Sequence, residues 1–139
     1  MNHRVEAVRQ PQEARRINRV TEKVISCAIE VHKHLGPGLL ESAYEECTCF
    51  EMTEEGLAVR RQGPLPVIYK GVKLDCGYRV DAIVEEIVIV EFKTVEKLLP
   101  VHEAQLLSYL KLMGLKVGLL INFHEATLAR GVKRIVWTN

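Results

Sequence analysis

The chain predicts a mixed α/β domain of the α+β kind, on three observations. Apolar residues recur every three or four positions through the first third. Short β-branched runs replace them from about residue 57, and one more helical stretch separates the final pair of strands from the others. A length of 139 residues is enough to bury one core without staples. A single domain over residues 17–139 is therefore expected, behind a loose polar arm of residues 1–16 broken by Pro11.

Each element has its own signal. From Ile17, the positions Val20, Val24, Cys27, Ala28, Val31 and Leu35 form one stripe of a helix, which Gly36 and Pro37 end. A second helix follows, with Leu40, Ala43, Tyr44, Cys47 and Phe50 as its expected apolar stripe and Gly56 near its end. LAVRRQ and LPVIYK then read as strands parted by Gly63-Pro64, and YKGVKL places a hairpin turn at Gly71. GYRVDAIV and IVIVEFK form a further pair joined around Glu85-Glu86. The second of these is apolar on both faces and belongs in the middle of a sheet. Pro100 opens a third helix that Gly114 closes, and KVGLLINF and VKRIVWT finish the sheet.

Composition narrows the class. Hydrophobic residues make up 47%, charged residues 27%, and the net charge is +1, as in an ordinary globular protein. A strongly basic, non-specific nucleic-acid binder would carry a more positive balance. Cys27, Cys47, Cys49 and Cys76 show no zinc-ligand spacing, so reduced, buried or half-buried thiols are expected. The first residues lack the apolar core of a signal peptide, and no apolar run has the length of a membrane span. A cytoplasmic chain with no membrane partner is the expectation.

The chemistry concentrates in VDAIVEEIVIVEFK. Glu91 and Lys93 are two apart on one strand and share a face, while Phe92 points the other way. Ionisable groups inside apolar strands are costly unless paired or bound. Two carboxylates at hairpin distance repel each other, and a divalent cation relieves that repulsion. Register decides whether Asp81 joins them. A plain two-residue turn at Glu85-Glu86 would pair Asp81 with Val90, whereas one additional loop residue or a bulge would set Asp81 opposite Glu91. Gln105 and Tyr109 lie one turn apart on the third helix and are expected to face the same way. His102 lies near the start of that helix, within possible reach of the site.

Gly38-Leu39-Leu40-Glu41-Ser42-Ala43-Tyr44 resembles the GxxExxY signature of a small bacterial and archaeal family. That family looks like a compact branch of the PD-(D/E)XK nuclease superfamily. The resemblance runs from about Ile17 to Val136. It includes Asp81, the Glu91-Phe92-Lys93 element, and Gln105-x-x-x-Tyr109, which resembles the QxxxY element of RecB-type and lambda-exonuclease-like nucleases. Val80 stands where the superfamily name has proline.

The resemblance implies a restriction-endonuclease-like fold, a mixed central sheet flanked by helices. It also implies hydrolysis of phosphodiester bonds in nucleic acid, DNA ahead of RNA, with Mg²⁺ or Mn²⁺. Asp81, Glu91, the Phe92 carbonyl and Glu41 would hold the ion. Lys93 would orient or help deprotonate the attacking water, and Gln105, Tyr109 and Tyr44 would bind substrate or position these groups. A homodimer or a partner protein is the expected aid to gripping DNA. The alternative is a non-catalytic nucleic-acid- or protein-binding module that keeps the fold.

Overall fold

In a computed structural model, the backbone is described for residues 3–138 and the side chains for residues 11–138. Helix α1 (His3–Leu35) is followed by α2 (Glu41–Glu54), β1 (Val59–Pro64) and the short strands β2 (Val67–Tyr69) and β3 (Val72–Leu74). Then come β4 (Arg79–Val84), β5 (Val88–Lys93), α3 (Pro100–Met113), β6 (Val117–Asn122), a single 3₁₀ turn (Leu128–Gly131) and β7 (Val132–Val136). Five strands form one sheet in the order β1-β4-β5-β6-β7, and β2 and β3 form a separate hairpin. Within the main sheet only β5 and β6 run parallel. That pairing needs a crossover, and α3 supplies it.

The sheet is covered on both sides. α1 lays Val20, Val24, Ala28 and Val31 on the face carrying Val84, Val90, Phe92 and Ile121, and α2 adds Tyr44 and Met52. α3 sets Leu106, Tyr109 and Leu110 on the opposite face, against Ile83, Ile89 and Leu120. β5 is central and buried along nearly its whole length, as its two-sided apolar pattern requires.

Three expectations change. α1 begins at His3, not Ile17, and runs through Pro11 where a loose arm was expected. A proline removes one helical hydrogen bond and disturbs the preceding turn, but the flanking turns can still hold. β1 likewise continues through Gly63-Pro64 instead of stopping before them. α2 is also rotated from its expected stripe. It buries Tyr44, Glu45, Thr48, Cys49 and Met52, while Leu40 and Phe50 are 78% and 63% exposed. Apolar residues lie on both sides of this helix, so periodicity alone does not select a face. Stacking of Tyr44 on Phe123, with ring centres 4.4 Å apart, and the polar bonds of Glu45 select it. Of the cysteines, Cys27 and Cys49 are buried, Cys47 is half-buried and Cys76 is exposed; all are free.

Candidate active site

The β4–β5 connection decides the site. Glu85 and Glu86 both have positive φ, 54° and 57°, and the Ile87 N–H closes the turn on the Val84 carbonyl at 3.1 Å. The ladder nevertheless pairs Val84 with Val88, so Ile87 is an additional residue. It shifts the register to Ala82 opposite Val90, which brings Asp81 to Glu91. Beyond Ala82 the carboxylates themselves take over the backbone donors. The Asp81 N–H donates to Glu91 Oε2 at 2.7 Å, and the Phe92 N–H donates to Asp81 Oδ2 at 2.9 Å.

Glu91 is the most constrained of the group, only 5% exposed. Burial pushes its carboxyl up to about 8, and repulsion from Asp81 and Glu41 adds to that; the Asp81 N–H and the Lys93 ammonium oppose it. Asp81 is also raised, first by burial and then by Glu45, against the Phe92 N–H, Gln62 and Lys93. Glu41 starts α2 as an exposed residue, yet its carboxyl is raised as well. Partial burial is the first cause and Asp81 contributes, while Lys93 and the Thr94 N–H pull the other way. Glu41, Asp81, Glu91 and Lys93 thus share one electrostatic neighbourhood. Among the described residues, Glu91 and Lys93 form no ion pair.

The Gly36-Pro37-Gly38 corner aims Glu41. Gly36 and Gly38 have φ of +65° and +106°, open to glycine at little cost. Tyr44, fully buried, donates its hydroxyl hydrogen to the Gly36 carbonyl and accepts the Leu39 N–H at 3.1 Å. It clasps the corner and does not reach the surface.

The α3 pair divides. Gln105 is exposed, whereas Tyr109 is 6% exposed, and its phenol is raised by burial and then by Glu91. Tyr109 therefore borders the carboxylates and Gln105 looks outward. His102 caps α3, its Nδ1 accepting the Leu99 N–H at 2.9 Å.

Three contributors escape a reading of strand motifs. Glu45, buried, takes Arg61 Nη2 at 2.9 Å and Gln62 Nε2 at 3.0 Å. Gln62, at a left-handed φ of 50°, reaches on to Asp81 Oδ1 at 3.4 Å. Asn122 holds the chain just after Lys93, accepting the Val95 N–H at 3.0 Å and donating to the Val95 carbonyl at 2.8 Å. The available signal was the four-residue spacing of Glu41 and Glu45, which puts both on one side of α2.

Among the described residues, no three His, Cys, Asp or Glu side chains stand as a ready metal-binding group. The donor chemistry still suits a hard divalent cation: three carboxylates, raised by burial and mutual repulsion, beside a single lysine.

The sequence model of the PD-(D/E)XK nuclease superfamily matches residues 18–135, and the chain belongs to that superfamily. The mixed five-stranded sheet with helices on both faces agrees with the restriction-endonuclease-like fold. No curated protein and no solved structure matches the chain.

Proposed function

We propose that the chain is a divalent-metal-dependent phosphodiesterase acting on nucleic acid, DNA in the first instance, within the GxxExxY branch of its superfamily. The observation that carries this reading is the extra residue at Ile87, which sets Asp81 against Glu91 beside Lys93. An ion pair of purely structural use would not need three carboxylates to share one lysine at such electrostatic cost.

Asp81, Glu91, Glu41 and the Phe92 carbonyl would hold Mg²⁺ or Mn²⁺. A bound ion of this kind polarises a phosphoryl oxygen and acidifies a coordinated water. Lys93, half-buried on the Glu91 side of β5, orients the attacking water and offsets charge that grows on the phosphate. Glu45 anchors Gln62, which reaches on to Asp81, and Tyr109 closes the α3 side against bulk water. Gln105, outward on α3, is placed to meet the substrate backbone.

The test is incubation of linear, nicked, branched and single-stranded DNA with Mg²⁺ or Mn²⁺, using wild type, Asp81→Asn and Lys93→Ala. Cleavage by wild type alone supports the reading. Cation-independent cleavage, or equal cleavage by the variants, overturns it. Nucleic-acid binding without cleavage under every condition would favour the alternative, a binding module that keeps the fold.

A further inference from the structure

The β2–β3 hairpin stands apart from the main sheet and carries an apolar face with no partner among the described residues. Its cross-strand pairs are Val67 with Leu74, Ile68 with Lys73 and Tyr69 with Val72. Paired residues share a side and successive ones alternate, so Val67, Tyr69, Val72 and Leu74 lie on one face. Tyr69, Val72 and Leu74 are 59%, 55% and 42% exposed. A lone two-stranded hairpin is marginal in water unless something covers it.

Charge indicates what covers it. Residues 57–74 contain Arg60, Arg61, Lys70 and Lys73 and no acid, whereas α2 carries Glu41, Glu45, Glu46, Glu51 and Glu54 and no Lys or Arg. Arg60 and Arg61 are taken by Glu86, Glu45 and Glu46. Lys70 and Lys73 are exposed, and Lys70 Nζ sits 5.4 Å from the centre of the Tyr69 ring at the tip. The root of the hairpin lies beside the candidate site. The Leu65 N–H bonds the Tyr78 carbonyl at 3.0 Å, and Tyr78 packs edge-on to Tyr109 with ring centres 6.1 Å apart. Asp81 is the third residue of β4, two beyond Arg79 and three beyond Tyr78.

We propose that the hairpin is a nucleic-acid grip, with Lys70 at its tip on a phosphate and the Tyr69, Val72 and Leu74 face packed on unpaired bases. Continuous duplex offers phosphates and groove edges, whereas single-stranded or branched nucleic acid exposes the base planes that an aromatic and aliphatic surface can cover. The inference rests on the nuclease reading of the site and adds to it a preference for unpaired segments.

The test is fluorescence anisotropy on a labelled single strand and a labelled duplex of equal length, in EDTA so that no cleavage intervenes. Tyr69→Ala combined with Leu74→Ser is expected to weaken single-strand binding about tenfold and duplex binding about twofold or less. Lys70→Asn suits the left-handed turn at φ 50° better than lysine and removes one cation. It is expected to weaken both ligands and to lower the salt dependence by about one contact. Because that variant favours the turn, misfolding does not explain its loss, and it remains decisive if the double variant fails to fold.

Unchanged single-strand binding in these variants, with wild-type cleavage intact, overturns the hairpin inference alone. A wild type that neither binds nor cleaves any nucleic acid overturns the nuclease reading with it. Loss of a wild-type oligomer in Tyr69→Ala/Leu74→Ser, with nucleic-acid binding intact, overturns the proposal in favour of a second copy as the occupant.

Discussion

The Glu91 carboxyl holds its proton up to about pH 8, against an ordinary value of 4.5. Between those values the folded state keeps a proton that the unfolded chain has lost, so the group subtracts stability as pH rises through that window. Below the window the contribution is neutral, and above it the penalty is complete. Glu91→Gln is therefore expected to raise the thermal midpoint at pH 8 without divalent ions by several degrees, roughly 1–3 kcal/mol, and to leave it nearly unchanged at pH 4.5. Thermal melts of both proteins across pH would test this. A variant less stable than wild type at pH 8 would show that Glu91 is held by favourable bonds that outweigh its burial. Asp81 lies on the other side of the same conflict, raised by burial yet receiving the Phe92 N–H.

At the scale of elements, the corner before α2 and the turn before β5 do the positioning. Tyr44 ties the corner through two backbone groups, Gly36 and Leu39, while Glu41 is the first residue of α2. The two residues should therefore separate in experiment. Tyr44→Phe is expected to cost about 1–2 kcal/mol of stability by calorimetry and to weaken divalent-ion binding as a consequence. Glu41→Gln is expected to leave the melting temperature within a degree or two while weakening ion binding and cleavage. Equal effects of Glu41→Gln on folding and on ion binding would return Glu41 to the plain role of a charge on a helix dipole. At the second turn, Ile87 is the residue that shifts the hairpin register. Were Ile87 instead paired with Val84 across a two-residue turn, alternation would turn Glu91 toward the α1–α2 face.

The whole molecule holds its carboxylates in a sheet buried from both sides, with charge segregated around it. α2 carries five acids and no Lys or Arg, the β2–β3 arm carries two lysines and no acid, and the net charge of the whole chain is +1. Millimolar Mg²⁺ or Mn²⁺ is expected to raise the melting temperature of wild type, because an ion that binds only the folded state stabilises it by mass action. Asp81→Asn is expected to lose most of that gain, and differential scanning fluorimetry with and without EDTA would read both. An equal gain in the variant would place the ion elsewhere.

Much of this was legible along the chain. The α1 stripe, the glycine stops, the hairpin at Gly71 and a central β5 all follow from spacing and composition, because each is imposed by local backbone geometry. The grouping of Asp81, Glu91 and Lys93 was legible as a conditional: it held if the loop carried an odd residue. Tertiary structure alone decided what depends on distant partners. It chose the face of α2 through Tyr44 on Phe123, brought Glu45 and Gln62 to Asp81, and turned Gln105 outward while burying Tyr109. Periodicity records which side of an element is apolar, but not what waits across the gap. That depends on how the elements pack, and packing is a property of the folded whole.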